Sequence, residues 1–458
     1  MAYQSQDRSI TLALAGDVML SRKLTPYQEP EYSALAELFR GADVGFANLE
    51  TVVRHPEEGH PNFTLGTPMT TAPALLEDLK WFGIELVSIA NNHATDYGVS
   101  GVEAMVAHLR QQGLAAAGAG RHLAAARAPA YVDTPAGRVG LVAATSFFRP
   151  WNTAADQRPD AQGRPGVNPL GFSTTYEVDG ATFDALRRMY EGLGLAQERL
   201  RHARQFYSSA ELGVQSQERL SLFGQQFVRG EKFAVKTQTA KLDAEANLKA
   251  IAEARRQCDW LIFSFHSHEF GDEGRWTATS DTQLGEPAQF MREFARAAID
   301  AGADVVAGHG HHVTLGAEIH RGRPIFYSLG NFVFQNDTVQ QFPAEAYRRF
   351  ALGHEATPAD FLDARTSQDT RGFPTEPEFW EGAVATVRFT EGQLQQACLH
   401  PVDLGFGTRR AERGRPMLAT GEVADRILGR LERMTGHIGA RARRNGPVLE
   451  LDIDRAAP

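Results

Sequence analysis

Residues 300–313 read DAGADVVAGHGHHV. A helical pattern ends at Gly302, and the chain turns into Asp304-Val305-Val306-Ala307. Three imidazoles in four positions follow, His309, His311 and His312, set around Gly308 and Gly310. A short apolar run of β-branched residues between glycines predicts a buried strand. A buried strand entered from a helix is the unit of a helix-covered parallel sheet. Histidines at its carboxyl end stand where open α/β sheets bind ligands. Neutral imidazole is the commonest metal ligand, and glycine lets the backbone take positive φ beside a ligand. The stretch therefore predicts an α/β fold and marks the rim that carries its chemistry.

The same form recurs upstream. Ile10–Gly16 ends at Asp17, and Asp43–Ala47 ends at Asn48-Leu49-Glu50. Leu86–Ala90 ends at Asn91-Asn92-His93, with Asp96 close behind, and Trp260–Phe265 ends at His266-Ser267-His268-Glu269. Val139–Ala144 and Ile325–Ser328 are further strand-like runs. Helical patterns at Tyr32–Phe39, Pro73–Phe82, Val99–Gln112 and Pro287–Ala301 lie between them, and each precedes a glycine (Gly41, Gly83, Gly113, Gly302) of the kind that ends helices. This alternation reads as βαβ units.

Side chains alternate along a strand, so Asn48 and Glu50 share a face if the strand continues, as do His266 and His268. Burying so many polar groups is costly unless each finds a partner. A lone Asp17 is equally a turn or N-cap residue. Five strand ends carrying N/O ligand groups point instead to one metal-centred site assembled from distant parts of the chain. No CxxC is present, which excludes a thiolate zinc site. Cys258 reads as a core residue, and no disulfide with Cys398 is indicated. Ser146 and Ser328 lack the G-x-S-x-G context of an elbow nucleophile.

The chain has 458 residues, 42% hydrophobic and 22% charged, an ordinary globular balance with room for more than one domain. Net charge is 47 − 56 = −9, which disfavours a nucleic-acid partner. An anionic polymer substrate would need a local basic patch against that field. No leader pattern opens the sequence and no run approaches the ~20 apolar residues of a membrane span, so the expected location is cytoplasmic. Residues 1–175 and 258–458 read as the core. Residues 176–257 read as a mostly helical insertion or cap, preceded by a long Pro/Gly-rich loop at 149–175. A second irregular stretch covers 335–380, and 422–437 is an amphipathic helix.

In this order, GDVML (16–20), NLE (48–50), ANNHATDYG (90–98), GAG (118–120), FHSHEF (265–270), DAGADVVAGHGHHV (300–313) and YSLGNFVF (327–334) resemble the CapA family of poly-γ-glutamate biosynthesis proteins, which share the calcineurin-like metallophosphoesterase fold. The resemblance implies a four-layer αββα sandwich, two mixed sheets face to face with helices outside and a metal site at one rim. It implies Asp17, Glu50, Asn92, His266, His309 and His311 or His312 as metal ligands. It places His93 beside the metal as general acid, with Asp96 to orient it and His266 as an alternative proton donor. Such a ligand set suits a divalent Mn, Zn, Fe or Ni. Metallophosphoesterases typically begin with Asp-x-His, whereas Met19 holds the third position here. One ligand of the first metal is then missing, and the site is mononuclear, weak in metal, or completed by Glu50. His266-Ser267-His268 replaces the usual His-Trp-Gly, and GHGHH replaces GHHPH.

Three functions follow from the resemblance. One is a metal-dependent hydrolase of a peptide, γ-glutamyl amide or phosphoester. Another is a metal-free epimerase acting at a peptide α-carbon, with His93, Asp17 and one of His309–His312 as acid and base. The third is a non-catalytic subunit that holds an anionic polymer. The abundance of ligand groups between His266 and His312 favours the first. Arg22, Lys23, Arg149 and Arg164 are candidate carboxylate partners, and Asn48 and Glu269 further substrate contacts.

Overall fold

The computed structural model describes residues 9–25, 27–62, 66–206, 216–271 and 286–453. They form two compact units, one of residues 1–171, 241–268 and 294–458, the other of 172–240 and 269–293.

In the first unit, βα repeats build one mixed sheet. They run β1 (Ile10–Met19), α1 (Pro30–Arg40), β2 (Val44–Leu49), α2 (Leu76–Phe82), β3 (Ile84–Ser88), α3 (Gly98–Gln111) and β4 (Ala115–Ala117). β1 to β4 lie side by side and parallel. A second sheet comes from β5 (Ala130–Thr134), β6 (Gly137–Thr145), β7 (Trp260–His266), β8 (Val305–His309), β9 (Ala317–His320) and β10 (Arg323–Phe326), in the order β9-β10-β8-β7-β6-β5. Helices α4 (Lys241–Arg255) and α5 (Gln289–Asp300) fall between β6 and β8 in the chain. Strand β11 (Asn331–Phe334) then returns to the first sheet beside β1. The hairpin β12 (Glu381–Thr390) and β13 (Gln393–Asp403) extends the sheet from that same edge of β1, opposite β2, with β12 pairing Ile10–Leu14 and β11 pairing Asp17–Met19.

The period of two along β1 explains the layering. Leu12 and Leu14 pack with Val44, Leu86, Leu141, Ile262 and Val305 in the core shared by the two sheets. Ala13 and Ala15 face the opposite way, into the core with Leu35 and Phe39 of α1, Leu79 and Phe82 of α2, and Met105 of α3. On the second sheet, α4 packs against β6 and β7. Phe294 of α5 lies 5.4 Å from Phe263 of β7. The order is helix, sheet, sheet, helix, as the sequence led one to expect. The C-terminal helix α6 (Gly421–His437) adds Ile427, Leu428 and Leu431 to the shared core.

Gly16 is where β1 bends. A Cβ there would sit 1.9 Å from the Gly330 carbonyl oxygen. The close approach lets Asp17 N donate to that oxygen at 3.0 Å, while the register with β11 slips between Asp17 and Val18.

The second unit carries more than the helices expected of the 176–257 insertion. A four-stranded sheet of Arg219–Leu222, Gln225–Gly230, Phe172–Asp179 and Ala234–Thr239 accompanies helices Gly180–Gly192 and Leu195–Phe206. Its core is small, built on Val178, Phe183, Leu220 and Leu222. Strands with one thinly apolar face carry mostly polar residues and give only a weak period-two signal. The helix at the end of the expected insertion, α4, packs on the main sheet. Both cysteines are free and buried. No described helix is long and apolar enough to cross a membrane.

Candidate metal centre

The carboxyl ends of β1, β2, β7 and β8 and the loop after β3 meet at one rim of the sandwich. Two triads of ligand atoms form there, each with its atoms within 4.8 Å of one another. Asp17, His266 and His309 make the first, and Glu50, His268 and His312 the second. In the first, His309 Nδ1 lies 3.5 Å and His266 Nδ1 4.0 Å from Asp17 Oδ1. In the second, His312 Nε2 stands 3.8 Å from Glu50 Oε1. His266 belongs to both neighbourhoods. Its Nδ1 is 3.1 Å from His309 Nδ1, while its Nε2 is 3.0 Å from His268 Nε2 and 3.7 Å from Glu50 Oε1.

Surrounding groups fix these side chains. Asp17 Oδ1 accepts from Asn48 Nδ2 at 2.8 Å and Oδ2 from the Gly310 amide at 3.0 Å. Asn91 in turn donates to Asn48 Oδ1 at 3.1 Å. Ser264 Oγ meets His309 Nε2 at 2.7 Å, which turns Nδ1 inward. Asn92 Oδ1 lies 2.8 Å from His266 Nε2. Asn331 Nδ2 donates to the carbonyls of His312 and Phe379, so its Oδ1, 3.0 Å from His312 Nδ1, is an acceptor. His312 therefore carries its proton on Nδ1 and presents the Nε2 lone pair to Glu50. Phe147 stacks flat on His268 with ring centroids 4.0 Å apart. Beside the triads, His93 Nδ1 bonds Asp96 Oδ2 at 2.6 Å and its Nε2 faces Glu50 Oε1 at 3.9 Å. The Met69 amide donates to the same Asp96 oxygen at 2.8 Å.

The electrostatics fit a cation. Burial raises Asp17 to about 7, against the lowering pull of Asn48 and Gly310. Burial, then the neighbouring Asp17, raises Glu50 well above the ordinary carboxylate range. Burial pushes His266, His268 and His309 well below ordinary imidazole values, and crowding by other imidazoles adds to it. His312 is pushed down to about 4 by burial, opposed by its bond to Asn331. The imidazoles are thus neutral and keep lone pairs to give. Both Glu50 oxygens are buried, and no amide, hydroxyl or guanidinium of the described residues donates to them, so the neighbouring Asp17 carboxyl is left to share a proton with Glu50. Two buried carboxyls with one proton between them, amid neutral imidazoles, are a donor set that a divalent cation satisfies on displacing that proton.

The chain matches the family described as "Bacterial capsule synthesis protein PGA_cap" over residues 11–336. It belongs to that family. Uncharacterized protein y4sH of Sinorhizobium fredii is 33% identical over 445 residues, which cover 94% of this chain and 90% of the relative. PGA biosynthesis protein CapA of Bacillus subtilis is 24% identical over 336 residues, 72% of this chain and 64% of the relative. Capsule biosynthesis protein CapA of Bacillus anthracis is 20% identical over 339 residues, 72% of this chain and 61% of the relative. Every residue of both triads lies inside the span matched to the PGA_cap family.

Set on this PGA_cap framework, the expected residues divide clearly. Asp17, Glu50, His266, His309 and His312 converge in the triads, with Asn92 against His266. Of the alternatives His311 and His312, the second stands in a triad, while His311 is buried outside both. Met19 lies in the core with the helices of the first sheet, and His266 and His309 complete the Asp17 triad without Glu50. His268 joins the Glu50 triad although it was not among the expected ligands. The signal was its spacing of two from His266. Asn48 is fully buried and holds Asp17, which leaves it no open face for substrate. Arg22 binds the Ala411 and Arg413 carbonyls, and Arg164 binds Pro150 and Thr153. Lys23 and Arg149 are exposed. Glu269 is buried and falls in the second unit. Ser264 and Asn331 escaped sequence reading, because one is a polar residue inside a strand and the other a common post-turn amide.

Proposed function

We propose that the protein is a metal-dependent hydrolase acting on a γ-glutamyl or other peptide amide, or on a phosphoester. The observation that carries this reading is the pair of buried acid–imidazole triads with the His93–Asp96 dyad directed at their shared edge. A divalent metal held by Asp17, His266 and His309, or by Glu50, His268 and His312, supplies Lewis acidity and a lowered pKa for bound water.

The chain's own residues do the rest. Asp96, held by the Met69 amide, takes the His93 Nδ1–H and leaves Nε2 free to carry or deliver a proton. His93 is more exposed than the triad imidazoles, with 12% of its side chain accessible, so it is the one placed to reach a leaving group. Asn48, Ser264 and Asn331 hold their partners in one orientation, which limits reorganisation during reaction. Two relatives are named for PGA and capsule biosynthesis, and a γ-glutamyl polymer offers a cleavable amide flanked by carboxylates.

The test strips the protein with chelator and reloads it with Mn²⁺, Zn²⁺, Fe²⁺ or Ni²⁺. Reloaded protein is then offered γ-glutamyl peptides and phosphoesters in D₂O. Metal-restored cleavage is expected. In His93→Ala the rate should fall by about 10²- to 10⁴-fold while metal content is unchanged. Chelator-insensitive deuterium uptake at an α-carbon without cleavage would instead make the protein an epimerase. Tight binding without turnover would make it a polymer-holding subunit.

A further inference from the structure

The first sheet ends in an open edge. Strand β4 pairs with β3 and with no other strand of the described residues. Ile89 N donates to Ala117 O at 2.9 Å. Backbone groups alternate along a strand, so Ala115 and Ala117 turn their N–H and C=O towards β3, and Ala116 turns its own pair outwards. Such a pair is a template for one more strand.

A cavity of about 370 Å³ opens beside that edge, between β4 and α3. Its volume falls within the range of about 300–1,000 Å³ usual for ligand clefts. Ile89, Val106, Leu109, Leu114 and Ala119 give it apolar walls. Ala116 packs with the core on that same side, so its Cβ faces α3. At Gly113, also on the cavity wall, a Cβ would meet nothing within 4 Å. Arg110 lines the cavity from the last turn of α3. It is exposed and pairs with no carboxylate of the described residues. One turn back stand Val106 and Ala107, and one turn on Gly113 and Leu114, so no acidic side chain neighbours it along the helix.

An unpaired backbone donor and acceptor, an apolar recess and an uncommitted cation therefore meet at one place. We propose that the groove between β4 and α3 binds the C-terminus of a partner protein, extended and ending in a large apolar residue. The added backbone pairs with Ala116, the apolar side chain fills the recess, and the terminal carboxylate takes the Arg110 fork. Arg110 stands at the end where β4 begins, so the added strand runs antiparallel to β4. A second copy of this chain meets only the first of these needs. Its matching edge is Ala115-Ala116-Ala117, whose methyls leave the recess unfilled and carry no charge. The groove is separate from the metal centre and does not depend on the hydrolase reading.

The probe is a library of fluorescent hexapeptides ending in Leu, Ile, Val or Phe, each made as the free acid and as the C-terminal amide. Binding to the full chain is read by fluorescence polarisation. The tightest members should prefer the acid form about 10- to 100-fold, as expected for a charge-assisted pair. Arg110→Ala should abolish that preference at unchanged melting temperature. Ala116→Pro removes the outward N–H at an edge position, where proline is tolerated, and should weaken every binder about 10-fold. If that variant fails to fold, methylation of each peptide nitrogen in turn decides on the wild-type chain, where one methyl should cost about as much. No binding up to about 1 mM, equal binding of acid and amide, or affinities unchanged in both variants overturns the proposal. So does N-acetyl-leucine binding as tightly as the hexapeptides, which would make the recess a site for free carboxylates. A dimer seen by sedimentation and lost in Ala116→Pro would assign the edge to a second copy instead.

Discussion

Asn331 shows how much a single amide decides. Two backbone carbonyls hold its Nδ2, so Oδ1 must accept from His312, and His312 must offer Nε2. Asn331→Leu should weaken metal binding by about 10- to 100-fold. Asn331→Asp keeps an acceptor for His312 but sets an oxygen against the His312 and Phe379 carbonyls, so it should recover only part of the loss, read by titration calorimetry. Protons set a second expectation. Asp17, raised to about 7, holds its proton in the metal-free protein at mildly acidic pH, so a metal must displace it. Metal affinity should rise with pH through about 7, with proton release visible as a buffer-dependent binding enthalpy. An affinity flat from pH 5 to 8 would contradict this. For folding, His312 has the sign of a depressed group: its contribution is present above the usual 6.5 and is lost as pH falls toward about 4. Asp17 works the other way and costs stability as pH rises through about 7. Asp17, His93 and His309 were legible because each stands within three residues of the end of an apolar run. Asn331 was not, since no local pattern separates an amide that orients a distant ring from one that closes a turn.

At the scale of elements, the turn after β8 constrains the triads most directly, because Gly310 packs against the His266 ring itself. Gly310 has φ +99, and a Cβ there would lie 2.7 Å from the Ser267 carbonyl and 2.8 Å from His266 Cε1. Gly310→Ala should therefore cost about 1–3 kcal/mol through strain alone. It should also push His266 out of line, so the melting temperature and metal stoichiometry fall together. A normal stoichiometry would show that the turn does not position the ring. The core strands and helices were readable because each joins a buried apolar run to a glycine stop. The hairpin of β12 and β13 was overlooked although its signal was present. Glu391 and Gly392, at φ +53 and +77, form a two-residue turn between alternating segments. The strands of the second unit lacked such a signal, since their small core asks for few apolar residues.

At the scale of the whole molecule, two sheets share one core, and both bring strand ends to one rim. That arrangement lets Asp17 and His309 meet at 3.5 Å although nearly the whole PGA_cap-matched span separates them. The sequence could announce the ligand types but not their pairing, because the pairing depends on how the sheets pack. A metal bound only by the folded form should stabilise it by about 2.7 kcal/mol at 100-fold excess over Kd. Chelator should therefore lower the melting temperature, and Glu50→Gln should weaken that response. The most direct measurement is diffraction from crystals soaked in Mn²⁺, with data collected at the manganese edge. Anomalous density among Asp17, His266 and His309, among Glu50, His268 and His312, or in both places is the predicted result. Saturating metal with no density at that rim, or density only elsewhere on the chain, would contradict it.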